Sequence, residues 1–73
     1  MRLVFQCYYG QLHYRAYKRR DGLYETRISY NKMPVTREWW TEEDAVAYCI
    51  HSRQRDEGLA DYYAKQKGTK QND

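Results

Sequence analysis

The stretch Tyr14-Arg-Ala-Tyr-Lys-Arg-Arg-Asp-Gly-Leu-Tyr-Glu-Thr-Arg-Ile-Ser-Tyr30 reads as two alternating strands joined through an Asp21-Gly22 turn. Its apolar and polar residues alternate with period two, so one face of the ribbon can be buried while the other stays in solvent. The same seventeen residues carry five lysines and arginines and four tyrosines. The face left open is therefore basic and aromatic, a composition suited to contacting a partner.

Turn length decides which side chains lie on that face. A two-residue Asp21-Gly22 loop would set Arg27 opposite Ala16 and drive a guanidinium into the core. A three-residue loop, Arg20-Asp21-Gly22 with Gly22 in the left-handed position of a G1 bulge, pairs Ala16 with Thr26, Tyr14 with Ile28 and Leu12 with Tyr30. We expect the three-residue loop. Upstream, Leu3, Phe5, Cys7 and Tyr9 alternate with Val4, Gln6 and Tyr8, and Gly10-Gln11 offers a two-residue turn that pairs Tyr9 with Leu12, Cys7 with Tyr14 and Phe5 with Ala16. The outer face then carries Val4, Gln6, Tyr8, His13, Arg15, Tyr17, Arg19, Glu25, Arg27 and Ser29.

Downstream, Asn31 to Arg37 reads as a loop or short irregular extension, because Pro34 removes a donor and biases Met33 away from helix. Thr41 is an N-cap candidate, followed by Glu42, Glu43 and Asp44 where carboxylates favour the helix dipole. Ala45, Val46, Cys49 and Ile50 form the expected apolar stripe, and Arg53 to Glu57 a polar last turn before Gly58 as C′ residue. Trp39 or Trp40 can pack back as a hydrophobic staple. Residues 59–64 read either as a short second helix or as a continuation of the first. The expected fold is α+β: a three-stranded antiparallel meander packed on one C-terminal helix, a single domain over 1–64, with a disordered tail over 65–73.

At 73 residues the chain is one domain near the lower limit for a core without a metal or covalent staple. Its hydrophobic fraction of 41% includes nine tyrosines and two tryptophans, rings whose polar tips need partners. Cys7 and Cys49 do not make a disulfide framework or a zinc site and read as buried free thiols, which suits a reducing, cytoplasmic setting. The amino-terminal residues reach polar Gln6 too soon for a signal peptide or a membrane span.

The net charge of +3 is unevenly spread. Residues 1–40 hold eight Lys or Arg against three Asp or Glu, a balance of +5, and residues 41–73 hold five against seven, a balance of −2. An anionic partner would meet the sheet half first. Catalytic patterns are missing: there is no Gly-rich phosphate loop, metal-ligand spacing or carboxylate pair. His13 and His51 read as surface residues, and Cys49 and His51 diverge by about 200° around a helix. The expectation is a non-enzyme without cofactor or metal.

The binding expectation rests on Arg15 and Arg27, cross-strand neighbours of like charge that an anion would relieve. With Arg19, Lys18, Arg20, Tyr8, Tyr17 and His13 they form the candidate nucleic-acid-binding set, offering phosphate donors and planar groups for sugars and bases. A solvated sheet face of good strand formers is the alternative without a ligand. A third reading is a protein-interaction module using Trp39, Trp40, Tyr62 and Tyr63, since Tyr, Trp and Arg dominate interface hot spots.

The pattern Tyr14-Arg15-Ala-Tyr17-Lys18-Arg-Arg-Asp-Gly22-Leu-Tyr24-Glu-Thr-Arg27-Ile28, followed by Trp40-Thr41-Glu42-Glu43-Asp44-Ala45, resembles the AP2-type and phage integrase amino-terminal DNA-binding domains. The likeness runs over residues 2–57, with a longer and less basic loop from Asn31 to Trp39. The resemblance implies a sheet lying in the major groove of double-stranded DNA, with Arg15, Tyr17, Arg19 and Arg27 facing it. The marginal size and free-standing character of the chain also suit a phage or mobile-element accessory protein. The rival expectation is a phage-encoded inhibitor of a host nucleic-acid machine, of anti-CRISPR or other anti-defence type, with a host protein as partner. Neither reading specifies an oligomeric state.

Overall fold

The computed structural model describes residues 1–30 and 33–72, with side chains as far as Lys65. Four strands, β1 (Arg2–Tyr9), β2 (Leu12–Lys18), β3 (Tyr24–Tyr30) and β4 (Met33–Trp39), precede one helix, α1 (Glu42–Asn72). They form an antiparallel meander in the order β1-β2-β3-β4.

Both expected turns close in the expected register. Tyr9, Cys7 and Phe5 face Leu12, Tyr14 and Ala16, with Gly10 at φ 59°. Across the second hairpin Ala16 faces Thr26, Tyr14 faces Ile28 and Leu12 faces Tyr30. Gly22 takes φ 88°, the left-handed region that a residue with a Cβ enters only at a cost. Arg19 N donates to Leu23 O at 2.8 Å, and Leu23 N donates to Asp21 Oδ1 at 3.1 Å. The three-residue loop is closed by its own backbone and its aspartate.

A fourth strand stands where a loop was expected. Met33, Val35, Arg37 and Trp39 alternate with Pro34, Thr36 and Glu38, and pair with β3 from Tyr30–Met33 to Tyr24–Trp39. Pro34 does not prevent this because β4 is an edge strand, where a missing N–H costs no ladder bond if it faces outward. Asn31 and Lys32, also part of the expected loop, lie outside the described residues.

β1 departs from simple alternation. Its register shifts between Leu3 and Phe5, so that Leu3 faces Tyr17 while Phe5 faces Ala16. The extra residue, Val4, packs with Phe5 against the core, whereas Leu3 is 43% exposed. The expected places of Val4 and Leu3 are thus exchanged, as a bulge reverses the side-chain phase beyond it.

The inner face of the sheet meets α1. Thr41 caps the helix, its Oγ1 accepting from Asp44 N at 3.1 Å. Tyr14, Ala16, Ala45 and Cys49 are wholly buried, with Thr26 and Ser52 among them. Small residues on both layers let helix and sheet approach closely. Val46 is half-buried and Ile50 lies open, so the buried stripe runs through Ala45, Cys49 and Ser52 rather than turning to Ile50. Trp39 supplies the staple: its indole N–H donates to Thr26 Oγ1 at 2.9 Å and its ring lies 4.9 Å from that of Tyr48.

Further along, Tyr14 Oη donates to Asp56 Oδ2 at 2.6 Å and Arg53 Nε to Tyr8 O at 2.8 Å. The helix therefore crosses diagonally from the end of β4 to the end of β1. It does not stop at Gly58, which lacks the positive φ of a C′ glycine, and residues 59–64 continue it. The backbone of the expected tail is helical to Asn72; its side chains after Lys65, and Asp73, lie outside the described residues. No helix among the described residues is long and apolar enough to cross a membrane.

Candidate functional site

Among the described residues no helix covers the outer face of the sheet. Strand pairing sets its rows: Tyr8, His13, Ser29 and Pro34; then Gln6, Arg15, Arg27 and Thr36; then Leu3, Tyr17, Glu25 and Glu38. Arg15 and Arg27 stand directly opposite one another, as the register requires. Both guanidinium groups lie over the Tyr17 ring, with Cζ 5.9 and 5.4 Å from its centroid. Each such contact contributes about 0.5–1 kcal/mol at an exposed site.

Tyr8 and His13 stack with centroids 4.2 Å apart and planes 10° from parallel. The His13 Nε2–H donates to Gln6 Oε1 at 3.0 Å in the tautomer this contact requires. Burial and the nearby Arg15 charge both hold the imidazole below its ordinary pKa. A lowered pKa favours the uncharged imidazole, whose ring lies stacked on Tyr8.

The arginines are more fully partnered than their sequence positions suggest. Arg19 pairs with Asp21 at 2.8 Å and with Glu38, and its Nη1 lies 4.0 Å from Glu25. Arg27 Nε donates to Glu25 Oε2 at 2.6 Å. Three carboxylates, Asp21, Glu25 and Glu38, thus offset Arg19 and Arg27 across the outer face. Arg15 forms no ion pair among the described residues, and its buried Nε has no hydrogen-bond partner there.

Positive charge that is not offset collects at the sheet end where β1 begins and β2 ends. There Met1, Arg2, Lys18, Arg19 and Arg20 line a shallow cleft of about 380 Å³. Arg2, Lys18 and Arg20 are exposed and form no ion pair among the described residues. Arg2 reaches the cleft because the Val4 bulge brings it opposite Lys18. Sequence reasoning placed Lys18 and Arg20 in the candidate set and missed Arg2, whose signal depends on that bulge. It also missed Glu38, whose contact with Arg19 exists only once β4 joins the sheet.

Of the aromatic residues expected for protein contact, Trp39 is spent on the fold, in β4 and against Thr26 and Tyr48. Trp40 is 83% exposed, and Tyr62 and Tyr63, ring to ring at 5.7 Å, stand on the distal part of α1. Cys49 is buried and His51 exposed, so they share no site. Both cysteines are free thiols; Cys49 is buried as expected, whereas Cys7 is only partly buried where it packs against the core, and burial pushes both pKa values up, that of Cys49 to about 11 with a further push from Cys7. Among the described residues no cluster of three His, Cys, Asp or Glu side chains could hold a metal ion. No protein-family model, curated protein sequence or solved structure matches this chain.

Proposed function

We propose that this chain is a small, non-enzymatic nucleic-acid-binding protein. It holds the phosphates of double-stranded DNA at the Arg2–Lys18–Arg20 end of its sheet and along Arg15. The carrying observation is the cleft where Arg2, Lys18 and Arg20 form no ion pair among the described residues, beside an outer face on which Arg19 and Arg27 are offset by carboxylates. Phosphate contacts fix position and supply most of the affinity. The stacked Tyr8–His13 pair and Tyr17 share the outer face with Arg15 and offer flat surfaces there for sugar edges or an unstacked base.

Four phosphate contacts predict a log–log salt slope of about −3.6, or a loss of roughly a hundredfold in affinity between 50 and 200 mM salt. Fluorescence anisotropy with labelled duplex and single-stranded oligonucleotides measures it. A combined Arg2→Ala, Lys18→Ala, Arg20→Ala variant should flatten the slope by nearly three units. Binding with an unchanged slope, or no binding by the parent chain at low salt, refutes the reading.

The offset charges on the outer face favour a second reading, a protein-interaction module. Salt-linked Arg–Glu rows and the 83%-exposed Trp40 are features of interface anchors and their rims. A parent chain that ignores both oligonucleotides at low salt leaves this reading standing in place of the first.

A further inference from the structure

Among the described residues, two apolar surfaces of this fold lack a covering layer. The first is a corner of the inner sheet face. Tyr30 and Met33 share a row with Leu12, and Val35 shares one with Ile28 and Tyr14, so all three point to the side that α1 covers elsewhere. Yet they remain 54%, 82% and 61% exposed, because the helix runs diagonally toward β1 and leaves this corner bare.

The second surface is the distal part of α1. The helix is over the sheet at Asp56, tied to Tyr14, and Leu12 lies only two residues, about 7 Å, nearer the strand end. Seven residues past Asp56 carry the axis about 10 Å further, so by Tyr63 it has left the sheet. The longest dimension of the molecule, 56 Å, is about twice the length of its eight-residue strand at about 3.4 Å per residue. Leu59 and Tyr63 continue the stripe that Ala45, Cys49, Ser52 and Asp56 present to the sheet, with Tyr62 on its flank. Beyond the strands that stripe faces solvent, with Leu59 46%, Tyr62 54% and Tyr63 59% exposed.

We infer that two copies of the chain associate about a two-fold axis, the distal part of α1 in each covering the bare sheet corner of the other. A sheet corner without its helix and a helix without its sheet are the two halves of one missing layer contact. They sit at the same end of the fold, where Tyr9, Leu12, Tyr30 and Met33 end the strands and α1 leaves. A two-fold operation therefore satisfies both in both copies, the self-complementarity an isologous interface requires. A tyrosine carries on the order of 200 Å² of contact area. Three about half-exposed tyrosines with Met33, Val35 and Leu59 therefore offer roughly 600 Å², and their flanks bring this near the ~800 Å² per partner of a stable interface.

Sedimentation equilibrium of the full chain, from micromolar to millimolar, tests the inference. The parent should be dimeric. Met33→Glu and Leu59→Lys each place an unpaired charge in the contact and should weaken dimerisation by about a hundredfold. Far-ultraviolet circular dichroism and the melting temperature of the monomer should not change, because both sites are exposed within one chain. An equimolar mixture of the two variants should recover a heterodimer, with opposite introduced charges at one contact and native residues at the other. A monomeric parent overturns the inference. So does a dimer insensitive to both substitutions, which would point to backbone pairing along the β4 edge, or a mixture that stays monomeric.

Discussion

Replacing Tyr14 by phenylalanine isolates the contact that fixes where α1 lies on the sheet. The Tyr14 ring is fully buried and its hydroxyl donates to Asp56 Oδ2 at 2.6 Å. Burial and this hydrogen bond push the phenol well above its ordinary pKa. Phenylalanine keeps the ring and removes only the donor. A hydrogen bond to a charged group contributes about 1.5–3 kcal/mol, but the Asp56 carboxylate is 22% exposed and has Arg55 Nε at 3.6 Å. Water can therefore replace part of what is lost, and the expected cost is about 1–2 kcal/mol. In a chain of this size that lowers the melting temperature by roughly 5–15 °C. Asp56→Ala should cost more, about 2–3 kcal/mol, because it strands a buried hydroxyl without an acceptor. Urea and thermal unfolding of both single variants and the double variant give the coupling directly. A Tyr14→Phe protein within about 0.3 kcal/mol of the parent, or an Asp56→Ala protein more stable than Tyr14→Phe, refutes the reasoning.

Two glycines should respond with opposite signs to alanine. Gly22→Ala, at φ 88°, should destabilise by about 1–2 kcal/mol, whereas Gly58→Ala, inside α1 with open space around its Cβ position, should stabilise by up to about 1 kcal/mol; denaturant titration reads both. Glu25→Gln releases Arg27 from its carboxylate and should tighten duplex binding several-fold while steepening the salt slope by about one unit, measured by anisotropy. The Cys49 thiol, raised to about 11 by burial, ionises first in the unfolded chain. Its contribution is complete below the unfolded thiol value near pH 8.5 and is lost as pH rises toward 11, at up to about 1.4 kcal/mol per pH unit. Tyr14 acts in the same direction at higher pH. Unfolding midpoints between pH 8 and 11 should therefore decline in the parent and decline less in Cys49→Ala.

Features that depend on near neighbours are legible in the chain alone. Period-two alternation and two turn lengths placed Tyr14, Ala16 and Thr26 inward and Arg15, Tyr17 and Arg27 outward, because a one-residue slip would have buried a guanidinium. The Thr41 cap was legible for the same reason, since its acceptor and donor lie within one turn. Features that depend on partners far along the chain are not. Pro34 reads as a breaker until β4 is seen to be an edge. Gly58 reads as a stop until the helix on either side is held by Asp56 and continued beyond it. Val4 turns inward only through a bulge that its pairing with β2 defines. The basic hairpin from Tyr14 to Tyr30 is changed most by such distant contacts. Glu38, nineteen residues from Arg19, helps offset its outer face, and Arg2, brought opposite Lys18, moves the free positive charge to the sheet's end. Charge counted along a chain is local, whereas the field it makes belongs to the folded surface.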